Sequence, residues 1–306
     1  MSEKVQYYPL CKSEHNRLFD SRSFHGNSVV NRVCQNCGLV FQSSRMTEVE
    51  STPFNAEEYR LLNEGSKDPT AHNNANQRAR AESLWAFTQP YVEKVSRYLD
   101  VGCSMGILLQ RFTDKFHCEP VGIEPGEAHH TLARKDGLSV YASLEELEKV
   151  GEGHFDLISM AHILDHLPDP VGYLVYFRET LMEPPGWRLI EVPNHYVHDS
   201  FETAHLVSYS AHTLCQTLEQ AGFEIVRLKK HGRPRLGCLP LYITIFIRPC
   251  SGIFNPFCLQ PERFVLLKRQ IGMFRRHVIE RIVPSRACTL RSEKRYFPAQ
   301  TCQKVV

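Results

Sequence analysis

Arg97-Tyr-Leu-Asp-Val-Gly-Cys-Ser-Met-Gly-Ile-Leu-Leu109 reads as a buried strand, a tight turn and the start of a helix. Gly102 and Gly106 let the backbone turn sharply and approach a ligand closely. Further on, Val121-Gly-Ile-Glu124-Pro125 ends a second strand on a carboxylate that can accept hydrogen bonds from both hydroxyls of a ribose. The turn is Gly-Cys-Ser-Met-Gly rather than the Gly-x-Gly-x-x-Gly of dinucleotide binders, so a smaller nucleoside suits it better than a pyrophosphate.

Outward from this stretch, strands and helices alternate from Ser96 to about Pro249. The pattern predicts strands at 97–101, 120–124, 138–141, 155–160, 187–192, 223–229 and 240–247. Helices are predicted between them at 105–115, 127–135, 143–149, 170–182 and 209–221. Such alternation implies an α/β fold, a Rossmann-like, mostly parallel sheet of seven strands with helices on both faces. The last strand follows its predecessor without a long helix, so an antiparallel partner is expected at one edge. The chain divides by composition into a cysteine-bearing module (1–50), a polar linker or lid with a helix at 81–95 (51–95), the α/β domain (96–249) and a basic helical tail (250–306).

The 306 residues are enough for a sizeable core, and 42% are hydrophobic. No window approaches the roughly 18 uninterrupted apolar residues of a membrane helix, so no transmembrane segment is expected. The start, Met1-Ser-Glu-Lys-Val-Gln, lacks the basic and apolar regions of a secretory signal. With that, 11 cysteines suggest reduced thiols or metal ligands and a cytoplasmic location. The net charge of +2 conceals a split: from Arg227 onward 17 Lys and Arg face 3 Asp and Glu, a balance of +14, and the rest carries −12. A basic tail favours phosphate, nucleic acid or anionic lipid, or packs against the acidic body. Within it, Phe264, Leu267, Ile271, Phe274 and Val278 recur at helical spacing, so 262–283 reads as an amphipathic helix whose polar face carries Arg263, Lys268, Arg269, Arg275, Arg276 and Arg281.

Leu99-Asp-Val-Gly-Cys-x-x-Gly106 followed by Gly122-Ile-Glu-Pro125 resembles the class I S-adenosylmethionine-dependent methyltransferases. The resemblance extends through Phe155-Asp-Leu-Ile-Ser-Met-Ala-His-Ile-Leu-Asp-His-Leu-Pro-Asp-Pro170, Gly186-Trp-Arg-Leu-Ile-Glu-Val-Pro-Asn194 and Leu218-Glu-Gln-Ala-Gly-Phe223. It implies that Asp100, Gly102, Cys103, Ser104 and Gly106 line the methionine and ribose side of S-adenosylmethionine. By the same resemblance Glu124 takes the ribose hydroxyls, Pro125 walls the adenine, Ser143 and Leu144 lie near it, and Ala161 and His162 flank the cofactor. Ser104 stands where the family usually has a glycine.

Methyl transfer from a sulfonium is an in-line displacement, so alignment and desolvation supply much of the acceleration. Histidines crowd the carboxyl ends of the fourth and fifth strands: His162, His166, His195, His198 and His205. Ligands bind at that edge in such sheets. His166 is the expected general base, with Asp165 able to orient it, and His205 and Tyr209 are expected acceptor contacts. A helix-capping role for His166 is the alternative.

Cys34-Gln-Asn-Cys37-Gly offers two thiolates to one tetrahedral zinc, and Cys11 and His15 could complete a structural site. The segment resembles the zinc-ribbon module that many such methyltransferases carry at the N-terminus, except that Tyr8 replaces its first cysteine. The expected function is methylation of a small, anionic acceptor such as a phosphorylated, sugar-nucleotide or isoprenoid intermediate, with a peripheral membrane contact through the basic helix. RNA methylation is a second reading, weakened by the scarcity of aromatics among the tail arginines. A non-catalytic, cofactor-binding partner subunit is a third.

Overall fold

The computed structural model describes residues 2–5, 10–66, 68, 70–232, 239–250 and 257–283. Seven strands form one sheet in the spatial order Phe223–His231, Tyr242–Pro249, Met182–Pro193, Phe155–Ala161, Arg97–Val101, Glu119–Ile123, Ser139–Tyr141. The five from Met182–Pro193 onward are parallel. Arg97–Val101 thus lies centrally, and strand order reverses between it and Phe155–Ala161. A crevice for ligands opens at such a switch point, beyond the carboxyl ends of the strands.

Tyr242–Pro249 runs antiparallel to both neighbours. It lies second from the edge, and Phe223–His231 is the edge strand. The composition explains this: Tyr242 to Ile247 are all buried, as an interior strand requires. The edge strand carries Arg227, Lys229 and Lys230, charges that discourage pairing with another chain.

The polar stretch expected as a linker is largely helical. Helical turns run from Glu48 to Glu64, and a long helix spans Ala71–Thr88, starting ten residues before the predicted one and ending earlier. Thr70 caps it by accepting a hydrogen bond from the Asn73 amide. Its polar residues hid it from a search for apolar periodicity because several of them, Gln77 and Arg80 included, point into the site.

The first fifty residues are stitched to the body. Strands Asn16–Phe24, Asn27–Cys34 and Val40–Gln42 form an antiparallel sheet completed by Val207–Ser208 from the α/β domain. Leu39 and Phe41 belong to the same apolar cluster as Leu206, Tyr209 and Leu214.

The C-terminal helix, Val265–Ile282, docks the opposite way from its sequence pattern. Phe264 (74% exposed), Ile271 (59%) and Phe274 (71%) face solvent, whereas Arg269 and Arg276 are buried. The two arginines donate to backbone carbonyls of the loop after Met182–Pro193: Arg269 to His195 and His198, Arg276 to Val197. Arg269 also pairs with Asp199 at 3.0 Å and lies over the Phe201 ring. A loop of unsatisfied carbonyls therefore selects the guanidinium face. Gly272 permits the close approach, since a Cβ there would fall 2.1 Å from the Tyr196 carbonyl oxygen.

Candidate active site

The glycine turn follows the central strand. Gly102 and Gly106 take positive φ of 76° and 77°. The Gly102 and Cys103 amides both donate to the Ile123 carbonyl, at 2.8 and 3.0 Å, which fixes the turn against the next strand. Glu124 is almost fully buried and accepts from the Ser104 amide at 2.8 Å and the Gly126 amide at 2.9 Å. Arg60, from the helical cover, donates through Nη2 to both Glu124 oxygens at 3.0 and 3.1 Å. A ribose diol also presents two donors, so this carboxylate fits the nucleoside half of S-adenosylmethionine.

Asp100 is buried and accepts from the Ser159 hydroxyl, which also meets the Tyr98 hydroxyl. Burial pushes the Asp100 carboxyl up to about 7, against the pull of Ser159 and helped by the charge of Glu124. Ser104 takes a positive φ of 53°, and its hydroxyl meets Gln77 Nε2 at 3.0 Å and His129 Nδ1 at 2.8 Å. Pro125 is exposed beyond Glu124. The Glu124 amide donates to the Tyr141 carbonyl, which keeps Ser143 and Leu144 on this side. The Ser143 hydroxyl caps the helix Leu144–Val150 by accepting from Glu146.

Two of the expected cofactor residues turn their side chains to other partners. The Cys103 side chain packs with Ala133, Leu138 and Val140, and burial holds its thiol well above the usual range. His162, with positive φ just after Ala161, turns its ring to Glu191 (Nε2 to Oε1, 3.2 Å). Glu191 also accepts from Arg80 at 2.9 Å and from the Thr244 hydroxyl at 3.0 Å, and His231 lies 3.4 Å away. Burial alone would raise this carboxyl, but His162, His231 and the Arg80 charge hold it well below the ordinary range. Sequence reading missed the cluster, although a carboxylate between Ile190 and Val192 in an apolar strand signals a buried charge needing partners.

The crowded histidines separate in space. His166 and His205 come together, with ring centroids 4.8 Å apart. His205 Nε2 lies 2.9 Å from Glu202 and 3.3 Å from Asp165. Burial pulls His166 down to about 4; for His205 the charges of Glu202 and Asp165 overcome burial and push it up to about 9. Tyr59 closes the group, its hydroxyl donating to Glu202 at 3.1 Å and its ring edge-on to His166. His195 and His198 belong instead to the loop that holds the C-terminal helix. Tyr209, expected as an acceptor contact, is fully enclosed in the main apolar cluster. Tyr59, Arg60 and Glu202 had no sequence signal, because contacts across 64 residues (Arg60 to Glu124) and 143 residues (Tyr59 to Glu202) leave no local pattern.

At the N-terminus the Cys11, Cys34 and Cys37 sulfurs converge, with Cys11 and Cys34 3.3 Å apart. Hydrogen bonds from Cys11 and Cys37 pull the Cys34 thiol down. Three convergent thiols suit a soft divalent ion. The exposed His15 is not in this group, and Tyr8 lies outside the described residues.

Among known proteins, the methyltransferase domain family model matches residues 73–228, just over half of the chain. The ubiquinone biosynthesis O-methyltransferase of Hahella chejuensis is 35% identical over 85 residues, covering 26% of this chain and 35% of that protein. That of Nitrosococcus oceani is 33% identical over 97 residues, covering 29% and 40%. The chain thus spans about two-fifths or less of the length of these curated relatives. The solved structure of the cyclase SpnF aligns with a TM-score of 0.52 at 15% identity over 68% of this chain and 98% of that one, a likeness of fold. With the glycine turn, the Glu124 carboxylate and the sheet order in place, the family match settles the kinship: the chain belongs to the methyltransferase domain family.

Proposed function

We propose that the chain transfers a methyl group from S-adenosylmethionine to an oxygen of a small-molecule acceptor. One observation carries the reading. Adjacent residues of the helical cover touch both halves of the site, Arg60 on Glu124 of the cofactor turn and Tyr59 on His166 and Glu202. The two halves are therefore within one residue's reach of each other under a common lid. When bound, S-adenosylmethionine supplies an electrophilic methyl group on a sulfonium. The protein's part is alignment and exclusion of water, and His166 takes the acceptor hydroxyl proton at its free ring nitrogen beside Asp165. The O-methyltransferase relatives support oxygen as the acceptor atom.

The acceptor is read as an anionic or isoprenoid-bearing intermediate met at a lipid surface. The outward face of the helix Val265–Ile282 combines Phe264, Leu267, Ile271 and Phe274 with Lys268, Arg275 and Arg281, the composition of an interfacial helix. No helix among the described residues is long and apolar enough to cross a membrane. The three-thiol cluster is read as a structural zinc site that ties the first fifty residues to the body. Incubation with methyl-labelled cofactor and a cell extract tests the function. Label in a nuclease-resistant, solvent-extractable product is expected; nuclease-sensitive label would favour RNA, and no transfer would favour a non-catalytic partner.

A further inference from the structure

Asp165, His166, Glu202 and His205 form a group that general base catalysis does not explain. Ligand atoms of Asp165, His166 and His205 all lie within 4.8 Å of one another. The individual separations are 3.3 Å (His205 Nε2 to Asp165 Oδ2), 3.9 Å (His166 Nε2 to Asp165 Oδ2) and 2.9 Å (His205 Nε2 to Glu202 Oε1). Ligands about 2.1 Å from a shared ion lie about 3.0 Å apart at right angles and about 3.4 Å apart in a tetrahedron.

Two further observations point to a cation. Asp165 is 2% exposed, and neither of its carboxylate oxygens has a hydrogen bond among the described residues. A buried carboxylate left so is costly unless a cation meets it. The second concerns His205, whose Nδ1 lies 2.7 Å from the Ser200 carbonyl oxygen. A carbonyl only accepts, so Nδ1 carries a proton and Nε2 faces the two carboxylates, where a bound cation would take the place of its proton. This is how metal-ligating histidines are held from behind by a backbone carbonyl.

We propose that Asp165, His166, Glu202 and His205 bind a divalent first-row transition-metal ion, at a site separate from the three-thiol cluster. Two imidazoles and two carboxylates are nitrogen and oxygen donors of the kind that suit manganese, iron or zinc. The four side chains come from two short segments, Leu164–His166 and the loop before Val207–Ser208. Tyr59 touches both of these segments, so the lid closes over the ion.

The use of the ion rests on the methyl-transfer reading; its binding does not. An acceptor hydroxyl coordinated there would be acidified and lose its proton to water. His166 is then a ligand, and its role as base belongs to the metal-free chain.

Titrating the chelator-stripped full chain with Mn2+, followed by the loss of the free-ion EPR signal, tests the site. One Mn2+ per chain is expected, with affinity falling at least tenfold in His205→Gln and in Asp165→Asn. Glu202→Gln provides a milder third variant. S-adenosylhomocysteine binding, measured on the same samples, reports that each variant is folded. Absence of Mn2+ binding by the wild-type chain, or equal binding by folded variants, would mean that His205 is an imidazolium held by Glu202 and Asp165, and would overturn the proposal. A wild-type chain that binds Mn2+ but transfers no methyl group supports the ion site while sinking the methyl-transfer reading.

Discussion

Arg60 holds both oxygens of Glu124, at 3.0 and 3.1 Å, and so occupies the carboxylate that a ribose diol would use. On the proposed function, a cofactor ribose at Glu124 would displace this guanidinium and move the lid that carries it. Arg60→Ala is expected to tighten S-adenosylmethionine binding by about tenfold, roughly 1.4 kcal/mol. Glu124→Ala should abolish it. Calorimetry with both variants checks this, and weaker binding by Arg60→Ala would show that the arginine contacts the cofactor instead.

Asp100 gives a pH dependence. Its carboxyl titrates at about 7 in the folded chain because of burial, against 3.8 as its ordinary value. Between those values the folded state holds a proton that the unfolded chain has lost, so this group makes stability fall as pH rises from about 4 to 7. Asp100→Asn removes that contribution. Thermal melts of the cofactor-free protein at pH 5 and pH 8 should show the variant gaining on the wild type at the higher pH.

His166→Ala is expected to lower kcat by about a hundredfold or more, the usual range for a lost general base. Cofactor affinity should barely change, because the ring lies on the Tyr59 side of the site and not at Glu124. Unchanged turnover would remove His166 from the chemistry.

Gly272→Ala is expected to lift the C-terminal helix, since its Cβ would strike the Tyr196 carbonyl. Overpacking of this kind costs about 1–3 kcal/mol. Faster amide exchange over 265–282, with the α/β domain protected as before, is the expected readout.

Purified chain should carry zinc at the three thiols, and Cys34→Ser should lose it. Elemental analysis of both proteins decides the point. Equal zinc in the two would reject this cluster as its site.

The sequence by itself determined the parts of the fold that local patterns encode. Alternating apolar strands and amphipathic helices placed the sheet, and Asp100, Gly102 and Gly106 placed the turn after its central strand, because neighbouring residues build that turn. It also brought Cys34 and Cys37 together, with only two residues between them. Only the tertiary structure decided which residues of the crowded loops meet. His162 is drawn to Glu191 and His205 to Asp165 because buried charges must find partners, and those partners lie tens of residues away. The polar helix Ala71–Thr88 and the turns before it were hidden because they owe their place to hydrogen bonds with the site rather than to an apolar stripe. The C-terminal helix shows the same limit in reverse: its apolar stripe was legible, but the carbonyls around Val197 chose the arginine face, leaving the stripe outward.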